Sequence, residues 1–219
     1  MSSGGGLAES PEHNWAAAAG LIYPLLKPPG TLGLDLARWV PGRVTSASLL
    51  GQAPQPLVDA GPGDLVLVYV LHAPGFDAIV NVDHLLTWGI GVDDLRGAAL
   101  ENLARWSAQT PWLDEVSGAR RLLSSESGEG WDASRILLPE VRAYLRSELE
   151  PLGRVLVGLP ERHLLVAGAL AAGDEEFALL LARFVDQQHD AADEPIVGRL
   201  FELAGDRLIA FSGLGPNPR

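Results

Sequence analysis

No cysteine occurs in this 219-residue chain, which removes thiol nucleophiles, cysteine-ligated zinc and iron–sulfur clusters from the chemistry open to it. Stability must then come from a buried core, and a composition 47% hydrophobic and 20% charged is sufficient for one. Long apolar runs are also missing. Residues 164–172 come nearest and stop far short of the ~18 a membrane span needs. The stretch MSSGGGLAESPEHNW lacks a basic patch followed by an apolar run, so no secretory leader is expected and a cytoplasmic location follows. Lysine is nearly absent, Lys27 being the only one, and 28 acidic against 16 basic residues give a net charge of −12. Such a surface repels phosphate backbones and anionic lipid, so neither a nucleic-acid nor a membrane partner is expected.

What is present is a patterned α+β chain. Residues 65–72 form an almost unbroken β-branched and leucine run, the mark of a strand covered on both faces. Pro74-Gly75 turns the chain, and 76–82 returns as a strand with one wet face. Two helices follow, over 84–88 and from Asp93, with Leu95, Ala99, Leu103 and Trp106 on one stripe. Upstream, an alanine-rich helix is expected over 15–26, closed by Lys27-Pro28-Pro29-Gly30. Residues 31–63 read as loops with short strands around 43–50. Downstream come a helical stretch over 132–149 with a fresh start at Pro139, a hairpin of 154–158 and 163–168, and an amphipathic helix. The expected buried face of that helix is Phe177, Leu180, Leu181, Phe184 and Val185. A last strand falls near 207–211.

The organisation expected is a disordered N-terminus (1–14), an N-terminal α+β half (15–110), an irregular linker (111–131), a C-terminal α+β half (132–212) and a loose tail (213–219). The fold class is α+β, with mixed sheets built from hairpins and packed helices, the two halves forming one compact unit with a movable joint near 107–131.

Several short pieces lie in order through most of 20–168: Ile22-Tyr23-Pro24-Leu25-Leu26-Lys27, the strand 64–69, Trp88-Gly89-Ile90 with Asp94-Leu95, Ala99-Leu100-Glu101-Asn102-Leu103, Asp132-Ala133-Ser134, and Pro160-Glu161-Arg162-His163-Leu164-Leu165. On these the chain resembles the YtpQ-like family of uncharacterised bacterial proteins. It differs in a shorter N-terminal part and in His163, which stands where an acidic residue is usual and so argues against an acidic site at that hairpin. The resemblance implies a mixed α+β fold in a cytoplasmic protein and carries no established activity.

Residues that could carry chemistry are few. Asn102 projects toward an apolar stripe, where an unpaired amide would cost ~1–3 kcal/mol; it contacts a ligand or ties its helix to a neighbouring loop. Asp132, Ser134 and His163 are the candidates for a nucleophilic set, although no G-x-S-x-G elbow presents the serine and a helix cap explains Asp132 or Ser134 as well. His72 and His84 beside Asp83 lack zincin spacing, and His189, Asp190, Asp193 and Glu194 lack the calcium-loop pattern. No metal site and no cofactor are therefore expected. Gly128 and Gly130 have neither P-loop nor dinucleotide spacing. The helix pair at 84–106 is too acidic to enter a DNA groove. Trp112 and Trp131, near Arg120 and Arg121, are candidate interface aromatics or core plugs. The function expected is a non-catalytic protein-interaction or regulatory module with a protein partner. The alternatives are a hydrolase or metal-dependent enzyme, or a small-ligand protein with a site between the halves.

Overall fold

The structure, a computed structural model, describes residues 10–38 and 54–213. Its first sheet is built around the apolar run found in the sequence, now strand β4 (Val66–Ala73). Strand β1 (Ile22–Lys27) pairs antiparallel along one edge of β4. Strands β3 (Leu57–Ala60) and β5 (Phe76–Ile79) share the other edge, and β2 (Leu34–Asp35) joins β3 in parallel, making the sheet mixed.

The second sheet is antiparallel throughout. Its order is β11 (Arg207–Ala210), β10 (Leu200–Ala204), β8 (Arg154–Glu161), β9 (Leu164–Leu170), β7 (Arg120–Ser125) and β6 (Leu113–Ser117). The helices are α1 (Trp15–Ala18), α2 (Val82–Trp88), α3 (Val92–Ser107), α4 (Pro139–Leu149) and α5 (Glu175–Ala191). The α+β class is as expected. None of these helices is long and apolar enough to cross a membrane.

One core runs through both sheets. Helix α3 lays Leu95, Ala99 and Leu103 on the first sheet, all fully buried. Val155, Val157, Leu165 and Ala167, from alternate positions of β8 and β9, extend the same core into the second sheet. The opposite face of β8 and β9 is covered by α5 through Phe177, Leu181 and Val185. Gly158 and Gly168 let that helix come close. A Cβ on Gly158 would lie 2.3 Å from Val185 Cγ2, and one on Gly168 2.6 Å from Phe177 Cζ.

Several expectations need correction. The helix expected over 15–26 is only one turn, capped by Asn14, followed by a 3-10 turn and then β1. The alanines start a helix, but Ile22, Tyr23 and Pro24 suit a strand at the sheet edge, where the missing proline N–H costs no ladder bond. Within the N-terminus expected to be disordered, residues 10–14 are held: the Trp88 indole donates to Pro11 O at 2.9 Å. Residues 1–9 lie outside the described residues, as do the strands expected at 43–50 and all but the first residue of the tail 213–219.

The largest correction concerns 111–131, expected as an irregular link and a movable joint. It holds the β6–β7 hairpin, turned at Gly118 with φ +62°, and β7 is hydrogen-bonded into the second sheet. Arg121 pins it further, donating to Asp114 on β6 and to Glu148 on α4 at 2.7 Å.

Candidate functional site

The expected nucleophilic set folds as architecture. Residues 133–137 form a 3-10 turn wedged between the two sheets, and it carries Ser134 and Arg135 into the core. The Asp132 carboxylate is fully buried, accepting from Ser125 Oγ at 2.6 Å, Ser127 Oγ at 2.7 Å and the Ser127 backbone N–H at 3.0 Å. Ser125 Oγ in turn accepts from Arg135 Nη1 at 2.7 Å, so the hydroxyl joins a buried cation to a buried anion. Arg135, 2% exposed, also donates to Ser107 Oγ, Ser107 O and Thr110 O, and its guanidinium lies 4.1 Å from the Trp112 ring centroid. Burial pulls its pKa down to about 10, so it remains charged at neutral pH.

Ser134 Oγ is buried and makes no hydrogen bond, and neither does His163 Nδ1. Serine, histidine and aspartate are therefore not linked as a catalytic triad, whose members must be hydrogen-bonded in series. His163 lies instead at a polar pocket of about 300 Å³ with Glu161, Asp193 and Glu194. Replacing Ser134 by alanine removes a hydroxyl that bonds to nothing. We expect stability to change by less than ~0.5 kcal/mol or to rise by up to ~1 kcal/mol. Thermal melting checks this; a clear drop in Tm would reveal a bond to Ser134 that the structure lacks.

The other histidines singled out in the sequence, His72, His84 and His189, have structural partners. His72 pairs with Asp77 at 2.6 Å. His84 forms a reciprocal cap with Asn81: its backbone N–H donates to Asn81 Oδ1, and its Nδ1 accepts from the Asn81 N–H. Burial lowers the His84 pKa, consistent with an accepting, neutral ring. His189 contacts Asp190 at 3.1 Å. Among the described residues no three histidine or acidic side chains gather closely enough to hold a metal ion.

Asn102 spends both amide hydrogens on backbone carbonyls, those of Ala19 at 2.7 Å and Ile22 at 2.9 Å. It ties α3 to the turn before β1, which leaves no side-chain donor for a ligand. Trp131 is 2% exposed and stacks on Tyr23. Trp112 is half-buried between Arg135 and Tyr144. Neither tryptophan stands at the centre of an exposed surface.

The exposed apolar surface lies elsewhere. An open trough of about 860 Å³ runs between the β6–β7 hairpin and α5. Helix α5 packs on β8 and β9, and its flank borders the trough opposite β7 and β6. That flank carries Leu180 and Phe184, which are 49% and 38% exposed rather than buried as expected. Opposite them, Leu113 is 54% exposed, and Val116, on the other face of β6 at the rim near the hairpin tip, is 68% exposed. All five residues of β6 are exposed, and among the described residues its outer edge forms no strand pair. A cue to the hairpin was present in Ser117-Gly118 between two short runs. The width of the apolar stripe on α5 was legible, but not how little of it the sheet would cover.

The trough is charged unevenly. Arg120 is held by Asp174 through two bonds of 2.8 and 2.7 Å and by Glu176 at 2.8 Å. Arg121 is held by Asp114 and Glu148. Glu115 and Glu126 line the same trough, and among the described residues their carboxylates have no partner. Both arginines are neutralised and the two free charges are negative. Set against protein-family profiles, curated proteins and solved structures, the chain matches none.

Proposed function

We propose that this protein is a non-catalytic protein-interaction or regulatory module of the YtpQ-like kind, acting in the cytoplasm, whose docking face is the trough between the β6–β7 hairpin and α5. One observation carries the reading: a sheet edge unpaired among the described residues and an apolar helix flank face the same opening. A free edge offers a row of backbone donors and acceptors, and apolar side chains beside it supply binding energy when water leaves. Of the polar residues that looked catalytic in the sequence, Asp132 belongs through Ser125 and Arg135 to a buried network joining β7 to the end of α3, which supports a scaffold role. The acidic surface argues against nucleic acid as the partner.

The test is selection of random displayed peptides on the full chain, repeated on L180D. Leu180 is half exposed, so the aspartate leaves the fold intact to within ~0.5 kcal/mol. Peptides that dock in the trough lose at least tenfold in affinity on L180D. They keep it on L152D, a substitution at an exposed leucine outside the trough. Enriched peptides that bind L180D as well as the parent, or no enrichment at all, would overturn this placement.

A further inference from the structure

We infer that the occupant of this trough is an extended basic–apolar segment of a partner protein, added to the second sheet as a strand beside β6; the inference rests on the docking reading above. Strand addition fits because, among the described residues, the outer edge of β6 pairs with no strand and β6 contacts little but β7. A strand laid there continues the pleat at ~4.8 Å spacing, so every second side chain falls on the trough side. On that side it meets Leu113, Glu115 and Ser117, with Leu180 and Phe184 across the opening. The other set of side chains meets Asp114 and Val116.

Charge decides the occupant. Among the described residues Glu115 and Glu126 are unpartnered, whereas Arg120 and Arg121 are already bound by four carboxylates between them. An incoming acidic segment would find no free cation in the trough and two uncompensated anions. An arginine or lysine at the position beside Glu115 would supply the missing charge. The same residues disfavour a second copy of this chain. Antiparallel pairing of two β6 strands centred on Glu115 sets that residue against itself, and like charges directly opposite each other are destabilising. The net charge of −12 opposes such a dimer further.

The experiment titrates three capped nonapeptides into the full-length protein, each alternating threonine with a second set of residues. In one, the second set is valine and arginine; in the others glutamine or glutamate replaces arginine. The arginine peptide is expected to bind at least tenfold tighter than the glutamine one, with the glutamate peptide weakest. Its affinity should fall about tenfold on E115Q combined with E126Q, and further as salt is raised. Methylating alternate backbone nitrogens on its ladder edge should abolish binding, which a side-chain-only contact would tolerate. If the glutamine or glutamate peptide binds as well and L180D still blocks it, the occupant is wrong while the docking face stands. If no peptide binds and the chain sediments as a dimer dispersed by L180D, a second copy occupies the trough and the inference falls. Absence of both binding and dimer also sinks it, and the displayed-peptide selection then judges the docking face alone.

Discussion

Replacing Arg135 by methionine is expected to destabilise the protein by about 3–5 kcal/mol, because it leaves a buried charge without its counterpart. The guanidinium makes four hydrogen bonds, to Ser107 Oγ, Ser107 O, Thr110 O and Ser125 Oγ. These reach the end of α3 on one side and the end of β7 on the other. The fully buried Asp132 carboxylate is its charge partner through Ser125. Methionine fills much of the same volume, so the loss reports the electrostatics and the orphaned carbonyls rather than a cavity. Lysine should not rescue it. An ammonium has three donors at one point and no flat face to lie against Trp112. Urea unfolding of R135M, D132N and the double variant tests the coupling. The double variant should lose less than the sum of the singles by ~1–3 kcal/mol, since each single strands the other charge. Strict additivity, or a cost below ~1 kcal/mol for R135M, would show that the network does not join the sheets.

This network also marks where reading the sequence stops. Arginine is read as a surface residue, and nothing near position 135 signals otherwise. Its burial depends on Ser107, Thr110 and Ser125, which converge only once α3 and β7 are in place. Strand β4 was legible because an unbroken β-branched run needs no tertiary information. Strand β1 was not, since Trp15 to Ala18 starts a genuine helix and only the open edge of β4 turns Ile22 onward into a strand. Strand β6 was hidden for another reason: Leu113, Asp114, Glu115, Val116 and Ser117 are all exposed and show no alternation to read. On α5 the apolar residues were recognised, but burial ends where the sheet beneath the helix is no longer covered. Leu180 and Phe184 lie beyond that limit. The trough therefore became visible only through packing, while Asp132 and Asn102 were visible early and proved structural in their contacts, and Ser134 proved buried without a partner.

Trp131 gives the second large effect, and it separates a core role from a binding role. W131A is expected to cost about 3–5 kcal/mol, the range for truncating a buried large aromatic. Its ring stacks on Tyr23 of β1 at 4.5 Å between centroids and 14° between planes, and it meets His72 of β4 edge-on at 5.6 Å. On the other side the Arg162 guanidinium, from the turn joining β8 to β9, lies 5.3 Å from the ring centroid. One side chain thus fills the seam between the first sheet and the second. W131F keeps a stacking face with less area and should lose only ~1–2 kcal/mol. Neither change touches the trough, so a peptide that docks there should bind folded W131F with affinity within twofold of the parent. If W131A instead leaves the urea midpoint unmoved and weakens peptide binding tenfold or more, the ring is part of the recognition surface. The seam would then be held chiefly by Arg135 and Asp132, whose coupling the double-variant cycle measures directly.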